Sequence, residues 1–302
     1  MRTLMKVALL ATVAITARAL AAEKAQTAGE VYSSFEIGPL KAATLRKMES
    51  GVIAKVGDTP ITKKHLEGKL AEAPEEDHKL LRPFLLAQIV QRQMLLAEAK
   101  KKGMVKEKGE KEENRAINEM VAEMAAAVAI SEEEINQVYE HNKAQFAGAD
   151  PEEAKTTIKG FLLQRKRNNA ITQYFTSLWA GVEVAIDQQW ATEQHKQASD
   201  NPIDKARESG KITLIDFGSE SCGPCRRLAP ILRQIQQDRK DVNIITVDVD
   251  KQRALAIRYG IRNLPTIIVF DARGKQVSRS EGLLPKEQII AKITEAAARQ
   301  ED

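Results

Sequence analysis

The run Ile212-Thr213-Leu214-Ile215-Asp216-Phe217-Gly218-Ser219-Glu220-Ser221-Cys222-Gly223-Pro224-Cys225 decides how this chain is read. Its first six residues are mostly apolar and β-branched, which predicts a buried strand. Beyond the cysteines, Leu228, Ile231, Leu232 and Ile235 recur at spacings of three and four, the stripe of an amphipathic helix. The two cysteines therefore fall where a strand hands over to a helix, and they are the only two in 302 residues. A thiol at a helix N-terminus faces unpaired backbone N–H groups and the positive end of the helix dipole, and both favour the thiolate. In C-x-x-C pairs this lowers the pKa from about 8.5 into roughly the 3.5–7.5 range. Cys222, the outer residue, is the expected nucleophile; Cys225, one turn further in, is placed to resolve a mixed disulfide.

Zinc fits the pair poorly, because it usually takes four ligands. A second C-x-x-C and an H-x₃₋₅-H pair are both missing, and His65, His78, His141 and His195 are scattered outside this part of the chain. A structural disulfide across a two-residue loop removes little entropy from the unfolded chain. Redox chemistry is the reading that remains.

Residues from about 201 to 302 resemble thioredoxin, on several motifs at their proper spacing. The W-C-G-P-C pattern stands here as Ser221-Cys222-Gly223-Pro224-Cys225, and Pro230 matches the proline that kinks the helix behind it. Asn263-Leu264-Pro265-Thr266 followed by Ile267-Ile268-Val269-Phe270 matches the cis-proline loop and its strand, and Gly282 matches a further family glycine. The resemblance implies a thioredoxin fold of the α/β class. It implies catalytic roles for Cys222, Cys225 and Asp216, the last as proton acceptor for the inner thiol. It also implies substrate contacts at Gly223, Pro224, Leu264 and Pro265, and no metal or organic cofactor. Three positions depart from the family: Ser221 and Gly218 stand where tryptophans are usual, and Thr246 where a lysine usually faces the buried carboxylate. Without that cation Asp216 is expected to be harder to ionise. These departures bear on the redox potential rather than on the type of reaction.

Residues 1–21 read as a cleavable secretory leader: Arg2 and Lys6, an apolar run from Val7 to Ala17, Arg18, and Ala19-Leu20-Ala21 as the cleavage site. The apolar run is too short to span a membrane, which takes about 20 residues. Without Arg2, Lys6 and Arg18 the net charge falls from +4 to +1, so a nucleic-acid partner is not expected. A lone reactive cysteine pair in an exported chain suits the bacterial periplasm.

Residues 22–50 read as a loosely held arm. Val52 to Ile61 predicts a hairpin turning at Gly57-Asp58, and Thr62 caps a helix through about Leu70. A long helix is expected over 75–102 with Leu81, Leu85, Leu86, Ile89, Val90 and Met94 on its apolar face, then a charged interruption over 103–114 and an Ala/Met-rich helix to about Val128. Ser131 with Glu134 forms a capping box for a helix to Phe146, and Asp150-Pro151 opens another that Gly181 stops. Val182 to Ile186 alternates like a strand. Residues 51–187 resemble the mainly α, SurA/PpiC-type chaperone domain. The carriers are Ile53-Ala54-Lys55-Val56-Gly57-Asp58-Thr59-Pro60-Ile61-Thr62, Met94 to Gly103, and Ser131 to Ile135. In that family a parvulin domain lies between the last two helices. Here only Ala147 to Asp150 separate Phe146 from Pro151, so prolyl isomerase activity is not expected. The Met120/Met124 pair and the Arg165-Lys166-Arg167 run read as packing and as a wet helix face, not as sites. Residues 188–200 read as a linker that is helical or flexible.

Together these readings give a periplasmic thiol–disulfide oxidoreductase, of reductase or isomerase type, for unfolded or disulfide-bonded proteins. Its electrons would come from a membrane thiol donor. The alternative is a holdase chaperone whose thioredoxin fold mainly docks partners; the helical region is also a candidate homodimer surface.

Overall fold

A computed structural model describes residues 26–146, 148 and 150–299. The leader expected at 1–21 lies outside the described residues. In chain order, α1 (Ala28–Val31) and two short 3-10 turns lead to β1 (Thr44–Arg46), β2 (Val52–Val56), β3 (Thr59–Thr62) and α2 (Lys63–Leu70). Next come α3 (His78–Lys101), α4 (Glu110–Ala126), α5 (Glu132–His141), α6 (Pro151–Ala180), β4 (Val184–Asp187), α7 (Gln188–Ala198) and α8 (Pro202–Arg207). The chain ends with β5 (Ile212–Gly218), α9 (Gly223–Asp238), β6 (Val242–Asp248), α10 (Arg253–Arg258), β7 (Thr266–Phe270), β8 (Gln276–Glu281) and α11 (Lys286–Ala298). Contacts divide the described residues into two compact units, one drawn from residues up to Lys55, Pro60–Ala87 and residues from Val184 onward, the other from Val56–Thr59 and residues between Gln88 and Glu183.

In the first unit, β5 is buried along its whole length and lies inside a four-stranded sheet of order β6-β5-β7-β8. It runs parallel to β6 and antiparallel to β7. Because side chains alternate along a strand, the two faces of β5 feed two cores. Ile212 and Leu214 pack with Leu228, Leu232 and Ile235 of α9 and with Ile289 and Ile293 of α11. Ile215 and Phe217 pack with Ile203 of α8 and Leu255 of α10. Helices on both faces of a sheet make the α/β architecture of a thioredoxin fold.

A second sheet, of order β1-β4-β2-β3, lies in the same unit except for Val56 and Thr59 at its hairpin end. Thr44, Leu45 and Arg46 pair with Ala185, Ile186 and Asp187, so the segment expected as a loose arm supplies a strand. Phe35 and Leu40 of that segment are fully buried. Phe35 meets Trp190 edge-on with ring centroids 6.0 Å apart, and Tyr32 lies 5.0 Å from the His195 ring. The expected linker is corrected with it. Asp187 caps α7 by accepting from the Trp190 N–H at 2.8 Å, and Trp190, Ala191 and Ala198 are buried. The expected boundaries at residues 50 and 187 thus cut through one packed unit, because their partners lie some 140 to 170 residues apart in sequence.

A buried charge cluster completes this unit. Asp204, fully buried, accepts from Arg258 at 2.7 Å, from the Asn201 amide at 2.7 Å and from Arg207 at 3.4 Å. Arg207 also reaches Glu36 at 2.7 Å and the Gly274 carbonyl at 2.6 Å, and stacks 4.3 Å from the Phe270 ring centroid.

The second unit is mostly helical. Ile135, Tyr139, Ala154, Ile158 and Leu162 join α5 to α6, and Ala116 and Met120 pack with Leu95 and Ala99. The Ser131 capping box forms as expected, with Ser131 Oγ accepting the Glu134 N–H at 3.2 Å and Glu134 accepting the Ser131 N–H at 3.0 Å. The charged interruption is shorter than expected, since α4 already starts at Glu110. Glu110, Glu112 and Glu113 sit in its first turn, where the helix dipole favours acidic groups, and Arg115 pins the preceding loop by donating to the Met104 carbonyl at 2.8 Å. Phe161 on α6 remains 63% exposed.

Removing the hub of the charge cluster should be costly, because Arg207 and Arg258 would stay buried without a counter-charge. Asp204→Ala is expected to lower the unfolding free energy by roughly 3–5 kcal/mol, measured by denaturant titration of the whole chain. A loss below about 1 kcal/mol, the range of an exposed pair, would show that the cluster is hydrated and weak.

Candidate active site

Cys222 and Cys225 are joined as a disulfide, with their Cα atoms 5.2 Å apart. Cys222 is the N-cap of α9: its Sγ accepts the Cys225 N–H at 3.2 Å and its carbonyl accepts the Arg226 N–H at 3.1 Å. The outer sulfur thus lies at the positive end of the helix, where a thiolate is stabilised. Gly223 and Pro224 fill the first turn, where proline loses no helical hydrogen bond. Cys222 is half-buried, whereas Cys225 is only 7% exposed. Ser221 is exposed and exchanges a 2.7 Å hydrogen bond with Ser219.

Asp216 reaches this pair from below. Alternation along β5 puts it on the same face as Ile212 and Leu214, the face that packs on α9. It is 3% exposed, and its Oδ1 is buried without a hydrogen-bond partner. A side chain starting from Gly218 would begin 3.5 Å from Cys225 Sγ and 4.0 Å from Asp216 Oδ2, so the inner sulfur and the carboxyl approach a common point. Thr246 stands in register beside Asp216 across the β5–β6 pair, the position expected from the sequence. It brings no charge, and burial alone pushes the Asp216 carboxyl up to about 6. A cavity of about 400 Å³ opens here, lined by Asp216, Gly218, Cys225, Arg226, Thr246 and Lys251 among others.

The rim of that cavity was not legible in the sequence. Lys251 bridges Glu220 at 2.6 Å and Asp248 at 3.1 Å, and Arg226 donates to the Glu220 carbonyl at 2.9 Å. Only the Asp248/Lys251 spacing hinted at it; Glu220 lies 31 residues from its partner.

The Leu264–Pro265 peptide bond is cis. Pro265 is buried, and Leu264 is half-buried against the cluster that holds Phe217. Thr266, next in the chain, pairs with Phe217, so the loop sits at the end of the sheet from which β5 leads to the cysteines. Three contacts fix the loop. Thr266 Oγ1 donates to the Asn263 carbonyl at 2.6 Å, the Asn263 amide donates to Glu281 at 2.6 Å, and the Gly282 N–H donates to the Pro265 carbonyl at 2.8 Å. Gly282 has φ +89°, a conformation that a side chain disfavours, which accounts for glycine there. Among the described residues no group of three or more His, Cys, Asp or Glu is placed to hold a metal ion.

Known proteins match this part of the chain. Residues 192–295 match the family Thioredoxin. The thioredoxin of Mycoplasmoides gallisepticum is 36% identical over 87 residues, covering 29% of this chain and 86% of its own length. Thioredoxin Y, chloroplastic, of Oryza sativa subsp. japonica is 37% identical over 105 residues, covering 34% of this chain and 62% of that relative, less than two thirds of it. Among solved structures, chloroplastic thioredoxin z is 31% identical with a TM-score of 0.29, covering 31% of this chain and 84% of its own.

The raised Asp216 pKa gives stability a definite pH dependence. An unfolded aspartate titrates near 3.9, whereas the folded one titrates at about 6. Between those values the folded chain holds a proton that the unfolded chain has lost, so the contribution is full below about pH 4 and is lost as pH rises through about 6. Asp216→Asn should therefore become more favourable relative to wild type from pH 4 to pH 7, by up to about 3 kcal/mol. Denaturant titrations of the oxidised protein at both pH values measure it. An offset that is the same at both would mean Asp216 ionises freely.

Proposed function

Since the chain belongs to the thioredoxin family, whose members are thiol–disulfide oxidoreductases, we propose that it reduces or isomerises disulfides in unfolded or misfolded exported proteins in the periplasm. The observation that carries this reading is the Cys222–Cys225 pair capping α9, with the unpartnered Asp216 carboxyl behind Cys225.

In the reduced protein the Cys222 thiolate attacks a substrate disulfide. A bond forms between Cys222 and one substrate sulfur, and the other substrate sulfur leaves with the electron pair. Asp216 then takes the Cys225 proton, Cys225 attacks Cys222, and the second substrate sulfur departs with the electron pair and takes that proton from Asp216, leaving as a thiol. The protein is left as the disulfide seen here. Leu264 and Pro265, together with Gly223 and Pro224, are the proposed contacts to the substrate backbone. A membrane thiol donor restores the dithiol. Gly223-Pro224 between the cysteines, as in the reducing thioredoxins, favours reductase or isomerase over oxidase. About 30 mV of potential corresponds to 1.4 kcal/mol, so modest local changes of the kind at Gly218, Ser221 and Thr246 shift the working potential.

The helical unit is proposed to hold extended polypeptide in the manner of SurA-type chaperone domains. Its mainly helical make-up and the exposed Phe161 ring support this. A tethered second site of this kind raises the local concentration of clients at Cys222, by up to about 10²–10⁴-fold in avidity.

Cys222→Ser should abolish reduction of a disulfide-bonded protein, and Cys225→Ser should accumulate mixed disulfides, both read on non-reducing gels. Full turnover by Cys222→Ser would leave a holdase that uses the thioredoxin fold for docking.

Client delivery is tested in the whole chain, because a fragment from Asn201 onward would lack Glu36, an ion-pair partner of the buried Arg207. Phe161→Glu should lower the ratio of the rate on a large scrambled-disulfide protein to that on a small disulfide, by about tenfold or more. An unchanged ratio would assign the helical unit to dimerisation or to docking on one partner.

A further inference from the structure

The cavity behind the disulfide exists because two side chains are small. Glycine at 218 and threonine at 246 leave open a space that reaches both the inner sulfur and Asp216. Of the two cysteines only Cys225 lines it. We propose that this cavity admits a small thiol, which reduces the disulfide from behind by attacking Cys225. The proposal rests on the thiol–disulfide reading above and adds a second entrance to the same site.

Four observations converge on it. The first concerns the leaving group. In thiol–disulfide exchange the sulfur of lower pKa leaves faster, and access then decides which sulfur is attacked. Cys222, at the helix N-terminus, is the better leaving sulfur, so chemistry favours attack on Cys225. Burial normally forbids it, and here the cavity supplies the approach. The second is the base, since the Asp216 carboxyl lines the same cavity, with its Oδ2 4.0 Å from where a Cβ at Gly218 would stand. The third is size: about 400 Å³ lies within the roughly 300–1,000 Å³ of small-molecule pockets and excludes a folded protein. The fourth is charge. Lys251 and Arg226 on the rim are matched by Glu220 and Asp248, so the rim does not select an anion and suits an uncharged or zwitterionic thiol.

The exchange balances. The entering thiol gives its proton to the Asp216 carboxylate, and its sulfur bonds to Cys225. The Cys222–Cys225 bond breaks, and its electron pair leaves on Cys222 as thiolate. A second small thiol attacks the first, forming a small-molecule disulfide. Cys225 leaves with the pair and takes the proton back from Asp216, and the proton of the second thiol goes to Cys222. Two thiols are oxidised and one protein disulfide is reduced.

The test uses the oxidised full chain and 2-mercaptoethanol, with brief exposure, a quench in N-ethylmaleimide and peptide mass spectrometry. Mercaptoethanol is expected on Cys225 and maleimide on Cys222; the opposite labelling overturns the proposal. As a second measurement, the same thiol coupled to dextran should reduce the protein at least about tenfold more slowly, since access governs the rate. Equal rates would place the attack at the surface sulfur and overturn it. Filling the cavity, by Gly218→Trp or from its exposed rim by Thr246→Trp, should slow free 2-mercaptoethanol toward the dextran rate. If both filled variants keep the wild-type rate the cavity is not the route. No reduction by either thiol would instead overturn the thiol–disulfide reading itself.

Discussion

Strand β5 is buried at all seven positions, and everything near the site is hung on it. Its odd and even residues feed two different cores, its two edges set the registers of β6 and β7, and its end launches the turn into α9. The alternation that seats Leu214 under α9 necessarily carries Asp216 to the same face. A carboxyl is thereby placed in an apolar layer next to a sulfur atom. Shifting the register by one residue would send Asp216 to the opposite core and leave the cysteines without a base.

Holding that carboxyl costs stability, because burial disfavours its ionised form and no cation compensates. The arrangement persists because the surrounding sheet and helices are well packed. The buried cluster of Asp204, Arg207, Arg258 and Glu36 serves a different purpose. Ion pairs of this kind contribute little net stability over apolar packing, yet leaving any one charge unpaired is expensive. Its effect is to fix one way for residues 26–46 to lie against the thioredoxin fold.

Around the inner cysteine bulk and charge are low together. Glycine at 218 adds no side chain beside Cys225, and the uncharged threonine at 246 leaves burial alone to raise the Asp216 carboxyl. A route to the sulfur and a nearby base are what a small nucleophile requires, so the two positions act in one direction.

Local sequence alone determined much of this protein. The strand-to-helix placement of Cys222 and Cys225, the caps at Ser131 and Asp150 and the hairpin at Gly57 were legible, because each depends on residues within a few positions of one another. The cis-proline loop came only from the resemblance to thioredoxin, since its contacts to Glu281 and Gly282 lie far along the chain. Asp216 and Thr246 were paired through the resemblance to thioredoxin; alternation assigns faces, and the β5–β6 register itself comes from the fold. Tertiary structure alone decided the rest. The arm at 26–46 gives weak local signals and the helix at 188–198 looks polar in sequence, and both become core only through Trp190, Phe35, Glu36 and Arg207, whose partners are more than a hundred residues away. The cavity behind Cys225 was equally invisible. An empty volume is a property of several small side chains brought together by the fold, and no single residue announces it.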